Sequence, residues 1–199
     1  TLIRVGNDEY AQANRSFGLT TLRDGHATIG RTGAVFEFRG KAGKVHKTGF
    51  NDRRLARIVK ACQDVPGQRL FQYVDDEGQR HAIQSADVNA YIRDALGDDF
   101  SAKDFRTWAG TVMAARALIE IGPCATDAEG KRNLNACVKA VAGVLGNTAA
   151  VARKAYIHPA ILDAYAEGRL NLGRARDGRK LELAVLHALE TASPEDRAA

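Results

Sequence analysis

The segment GNTAAVARKAYIHP closes a run of small and basic residues on Tyr156, and three cations elsewhere stand beside glycine or aromatic residues rather than in ion-pair patterns: Arg4 in RVGNDEY, Lys41 in FRGKAGK and Arg106 in KDFRTWAG. A guanidinium is a planar fork that matches two phosphate oxygens and keeps its charge. A tyrosine hydroxyl can form a covalent intermediate. Two arginines, a lysine and a tyrosine together suggest phosphoryl transfer. Each alone has a plainer reading: Arg106 as a surface charge beside a helical stripe, Lys41 as a solubilising charge at a hairpin tip, Tyr156 as a core aromatic.

The elements that must position these residues change character along the chain. The first 50 or so residues read as β-rich, in keeping with the alternation of strands. FGLTTLRDGHATIG alternates and turns at Asp24-Gly25, a favoured hairpin dipeptide, and VFEFRGKAGKVHKT places residues 40–44 at the tip of a second hairpin. From Asn51 the period becomes helical: NDRRLARIVKAC sets Leu55, Ile58, Val59 and Cys62 on one face behind an Asn51 cap. Pro66-Gly67 reads as a turn, and the sequence beyond it as nearly all helix. SADVNAYIRDALG carries Val88, Tyr91, Ile92 and Ala95 on one face. SAKDFRTWAGTVMAARALIEIG opens on a Ser101-x-x-Asp104 capping box, with a stripe through Phe105, Trp108, Val112 and Ala115 or Arg116. LNACVKAVAGVLG follows and ends at Gly146. Thr148 caps a short helix through Tyr156, Pro159 opens another, and ARDGRKLELAVLHALETA makes the last. The expected fold class is α+β and mostly helical, a small β-hairpin region over residues 1–50 leading into a helical bundle over 51–199.

Composition narrows the class of partner. The chain has 199 residues, 45% hydrophobic and 27% charged, enough for a packed core. A net charge of +5, with basic knots in RLARIVK, KRNLNACVK, RKAY and GRLNLGRARDGRK, favours an anionic polymer, nucleic acid foremost, though a merely solvated basic surface fits as well. Cys62, Cys124 and Cys137 form no C-x-x-C pair and read as reduced structural thiols. The five histidines make no H-E-x-x-H motif, so neither a metal site nor another cofactor is expected. No stretch approaches the roughly 18 apolar residues of a membrane span, and the expectation is a soluble, cytoplasmic protein, associated with a bacterial nucleoid.

In order and with their flanks, the blocks resemble the type IB DNA topoisomerases of the poxvirus and bacterial kind, whose catalytic domain shares its fold with tyrosine recombinases. RVGNDEYAQANRSFGLTTLRDGH resembles the first arginine block, FEFRGKAGKVH the catalytic-lysine hairpin, KDFRTWAGT the second arginine helix, and VLGNTAAVARKAY the nucleophile segment. The resemblance places Arg4, Lys41, Arg106, Asn147 and Tyr156 on the family's catalytic positions and Tyr10 on a DNA-contacting tyrosine. Lys103, one helical turn before Arg106, is expected as an auxiliary phosphate or base contact, ranked below those five.

The chemistry so implied is attack by Tyr156 on a phosphodiester of double-stranded DNA, giving a 3′-phosphotyrosyl bond and a free 5′-hydroxyl. Arg4 and Arg106 hold the nonbridging oxygens, Asn147 donates a neutral hydrogen bond, and Lys41 protonates the departing 5′ oxygen. The bond stores the phosphodiester, so resealing calls for neither ATP nor metal, and the protein is expected to act as a monomer. Many relatives carry histidine where Asn147 stands. An amide cannot titrate, so cleavage is expected to show no imidazole inflection near pH ~6.5. The family's smaller amino-terminal clamp domain is expected to be absent from a chain that starts just before Arg4, with DNA binding weakened and strongly salt-sensitive. Two alternatives stay open: a site-specific tyrosine recombinase, although KDFRTW stands in place of its usual H-x-L-R-H-like box, and a DNA-binding module with a decayed active site.

Overall fold

The computed structural model of the chain describes residues 1–192. They fall into two compact units, Thr1–Lys103 and a second that begins at Asp104.

The first unit is built on a three-stranded antiparallel sheet of β1 (Ala27–Ile29), β2 (Ala34–Arg39) and β3 (Val45–Phe50), in that order. Phe36 of β2 stands opposite Ala27 and Thr48, and Phe38 opposite His46. β2 alternates strictly, with Ala34, Phe36 and Phe38 buried and Val35, Glu37 and Arg39 exposed. That is the period-two pattern of a strand with one face on a core. Phe36 and Phe38 pack with Leu22, Val59 and Leu70. Val59 arrives on α2 (Arg53–Gln63), whose Asp52 accepts the Leu55 amide at 2.9 Å. The unit also holds α1 (Asp8–Asn14), a small hairpin of β4 (Gln72–Val74) and β5 (Arg80–Ala82), and α3 (Ser85–Leu96).

Several expectations need correcting here. Asp24-Gly25 is not a hairpin turn. Asp24–His26 forms a 3₁₀ turn closed on itself, because the Arg23 amide donates to His26 Nδ1 at 3.1 Å and the His26 amide to the Arg23 carbonyl at 2.9 Å. The β1–β2 hairpin turns later, where the Gly30 amide meets the Gly33 carbonyl at 2.9 Å. The cap of α2 is Asp52 rather than Asn51, and its core face runs through Ala56 and Val59 while Leu55 and Ile58 are exposed. On α3 only Ile92 is buried, and Tyr91 is 74% exposed. The β4–β5 hairpin was read as helix-bearing sequence. Asp75 organises its turn by accepting the amides of Glu77 and Gln79, at 3.0 and 2.7 Å.

The second unit is helical. α4 (Ala102–Ile121) opens at the boundary and is followed by α5 (Asp127–Leu145), α6 (Ala149–Ala155), α7 (Pro159–Ala166) and α8 (Gly178–Thr191). Leu118, Leu145, Ile161 and Val185 are fully buried, each contributing roughly 1.5–3 kcal/mol. Ala114, Ala115, Ala142 and Ala152 are equally buried, and their small side chains permit close helix approach. Thr126, Thr148 and His158 cap α5, α6 and α7, and Gly146 ends α5 in the left-handed region at φ 63°. The core stripe of α4 is not the one through Phe105 and Trp108. It runs through Arg106, Gly110, Thr111, Ala114 and Leu118, leaving Phe105 exposed and Trp108 half-buried. No single helix among the described residues is long and apolar enough to cross a membrane.

Candidate active site

In the first unit the main chain around Arg4 is pinned between neighbouring loops. Its carbonyl accepts the Leu19 amide at 2.8 Å, and that of Val5 accepts both the Thr20 amide and the Thr20 hydroxyl, at 2.8 and 2.9 Å. This requires two glycines. Gly6 sits at φ +101°, and a Cβ on Gly18 would lie 2.6 Å from the Arg4 carbonyl oxygen, closer than any real contact. Arg69 braces the same region from outside, donating to the Thr20 carbonyl at 3.0 Å and pairing with Asp8 at 2.8 Å. Asn7 caps α1 by accepting the Tyr10 amide at 2.8 Å, which carries the exposed Tyr10 to the same opening.

Lys41 begins the turn Lys41–Gly43 at the β2–β3 tip and is exposed. The tip is closed by the Gly40 amide on the Lys44 carbonyl at 2.7 Å and the Gly43 amide on the Gly40 carbonyl at 3.0 Å. Ala42 takes a left-handed φ of 61°, unusual for a residue with a Cβ. The Phe17 amide donates to the Arg39 carbonyl at 2.7 Å, tying the end of β2 beside the tip to the loop that ends on Gly18. The outcome is a cleft of about 400 Å³ lined by Arg4, Gly6, Tyr10, Phe17, Gly18 and Lys41 among others. Behind it, His26 packs on Phe17 with ring centroids 4.5 Å apart. Burial, and then the charge of Arg23, lowers the His26 pKa and so favours the uncharged ring.

In the second unit Arg106 is 5% exposed, an unusual place for a cation. Its Nη2 donates to the Leu145 carbonyl at 2.8 Å. That oxygen belongs to the last residue of α5, where the helix dipole is negative and carbonyls lack intrahelical partners. The guanidinium carbon lies 5.1 Å from the centroid of the Tyr156 ring, a cation–π contact. Past Gly146, the Asn147 amide returns to the Ala142 carbonyl at 2.8 Å in a Schellman-type closure, which sets Asn147 two residues beyond the carbonyl that Arg106 holds. Tyr156 ends α6, its amide on the Ala152 carbonyl at 3.0 Å, and is flanked by the buried Ile157.

The first unit thus gathers Arg4, Tyr10 and Lys41 around one cleft, and the second joins Arg106 to Tyr156 with Asn147 nearby in sequence on the same helix end. Lys103 is exposed in the first turn of α4. Sequence reasoning missed the supporting residues Gly18, Arg69, Thr107, Gly110 and Thr111. The glycines carried a usable signal, since each stands in the same short block as a chemistry-bearing residue. Arg69 lies far from any such block and carried none.

The chain is α+β, with a buried arginine against a tyrosine in its helical unit and an arginine and a lysine lining an open cleft in the other. Residues 1–177 match the family model of the eukaryotic DNA topoisomerase I catalytic core, and the chain belongs to that family. Over 171 residues it is 32% identical to the DNA topoisomerase 1B of Acanthamoeba polyphaga mimivirus, a match that covers 82% of this chain and 51% of that one. The chain therefore spans about half the length of this curated relative.

Proposed function

We propose that this catalytic core relaxes supercoiled double-stranded DNA by transient cleavage of one strand, with Tyr156 as nucleophile. The contact between the Arg106 guanidinium and the Tyr156 ring carries the reading, because it brings a phosphate-binding group to the one tyrosine in a nucleophile-type segment. The Tyr156 oxygen gives up its proton to solvent and forms a bond to phosphorus, and the bond from phosphorus to the 5′ oxygen breaks. Lys41 gives its proton to the departing oxygen, and religation runs the same steps in reverse. Arg4 and Arg106 stabilise the charge that grows on the nonbridging oxygens, with Asn147 as a neutral donor. Tyr10 and Lys103 contact the duplex. The basic surface supplies salt-dependent attraction to the phosphate backbone. Each strand break is held as a phosphotyrosyl ester, so the energy of the phosphodiester is retained and no nucleotide is consumed.

The test is relaxation of supercoiled plasmid in EDTA without ATP, with adducts trapped by denaturant in the same samples, for the chain and for Tyr156→Phe. Relaxation and a covalent adduct that both disappear in the variant are expected. An adduct that persists in Tyr156→Phe, or relaxation without any adduct, would overturn the proposal.

A further inference from the structure

We propose that one strip of α4, Thr107, Gly110 and Thr111, positions the nucleophile by fixing the backbone on both sides of Tyr156; this rests on the reading of Tyr156 given above. The three residues follow the i, i+3, i+4 spacing that places side chains on one helical face. The Thr107 hydroxyl donates to the Ala155 carbonyl at 3.3 Å, just before Tyr156. The Thr111 hydroxyl accepts the His158 amide at 3.0 Å, just after it. Between them the Tyr156 carbonyl lies so close to Gly110 that a Cβ there would stand 2.2 Å from the oxygen.

The orientation of the Thr111 hydroxyl is itself fixed, since it donates to the Thr107 carbonyl at 2.8 Å and so turns a lone pair toward His158. This support is needed because α6 is too short to hold its own end. It has seven residues, and a helix of that length has little stability of its own. Tyr156 leaves it at φ −136°, ψ 0°, outside the helical region, so its conformation is imposed by what surrounds it. α4 thus supplies three successive constraints along residues 155–158, while the same helix carries Arg106. Nucleophile and phosphate-binding group share one rigid template. A displacement of the phenol by about 1 Å is enough to cost on the order of 100-fold in rate.

The experiment compares Thr111→Val, which keeps the shape and removes the acceptor, with Thr111→Ser, which keeps the acceptor. It reads hydrogen exchange of the His158 amide in the free protein, single-turnover cleavage of a duplex oligonucleotide across DNA concentrations, and noncovalent duplex affinity in a Tyr156→Phe background. Thr111→Val is expected to lose about tenfold in His158 protection and roughly 10- to 100-fold in cleavage rate at saturating DNA. Half-saturation and noncovalent affinity stay unchanged, and Thr111→Ser restores both losses. Should Thr111→Val fail to fold, Thr107→Val removes the Ala155 contact and is expected to give the same split. Normal cleavage by a variant that has lost His158 protection would overturn the inference while leaving Tyr156 as nucleophile. Equal slowing by Ser and Val would also overturn it. Absence of any adduct from the unaltered chain would instead remove the nucleophile itself, and the positioning role with it.

Discussion

The cleft of Arg4 and Lys41 and the stack of Arg106 on Tyr156 fix their chemistry in opposite ways. In the first, the rigid part is main chain: loop carbonyls and amides lock together around Gly6 and Gly18, and the side chains project from that frame, Lys41 exposed at a turn. In the second, Arg106 is itself a packing element, buried against the end of α5 and the ring of Tyr156. Loss of function and loss of stability should therefore separate cleanly in one unit and travel together in the other.

The largest joint loss of function and stability is expected for Arg106→Ala. It strands the Leu145 carbonyl and opens space in the helical core, at about 2–4 kcal/mol in chemical denaturation. Cleavage should fall by about 10²- to 10³-fold, as for loss of one transition-state donor. Arg106→Lys should recover little of either, because an ammonium has neither the fork nor the flat face. Similar recovery by lysine would mean that charge alone matters there. Next come the two close-approach glycines. Gly110→Ala forces a Cβ to 2.2 Å from the Tyr156 carbonyl oxygen and Gly18→Ala one to 2.6 Å from that of Arg4. Each should destabilise by about 1–3 kcal/mol or more, Gly110 the more severely, and melting curves of the pair will rank them.

Lys41→Ala sharpens the contrast from the other side. Cleavage should drop by about 10²- to 10⁴-fold for loss of a general acid, with stability held within roughly 0.5 kcal/mol. A marked fall in melting temperature would show that the tip is structural after all. Smallest is Ala42→Gly, which relieves a left-handed alanine worth about 1 kcal/mol. It also loosens the unfolded chain by a similar amount. A shift in midpoint close to zero is expected from thermal melts, and a large loss would contradict the left-handed turn.

How much of this was readable beforehand follows from what each signal depends on. The Lys41 hairpin and the helix ends at Gly146, Thr148 and Pro159 were legible because turns and caps are local chemistry. The core face of α4 was not. Its buried members are Arg106, Gly110 and Thr111 as well as Ala114, Ala115 and Leu118, so of the expected stripe through Phe105, Trp108, Val112 and Ala115 only Ala115 is buried. The same fault misplaced the face of α2, where small Ala56 is buried and large Leu55 and Ile58 are not. Asn51 and Asp52 are both good caps, and adjacency alone could not choose between them. The β4–β5 hairpin escaped because its strands are short and its turn depends on one aspartate side chain. The residues that bring Tyr156 and Arg106 together act through backbone groups some 40 or more positions away, as the 5.1 Å stack and the Thr107 and Thr111 bonds show. Such partners carry no local pattern.

Trp108 is the chain's single tryptophan, and it sits half-buried on α4 between Arg106 and Gly110. Excited selectively, its emission comes from one place in the molecule, two residues along the helix from the arginine that meets Tyr156. The protein thus carries a built-in fluorophore on α4, a probe of that helix's surroundings that needs no label.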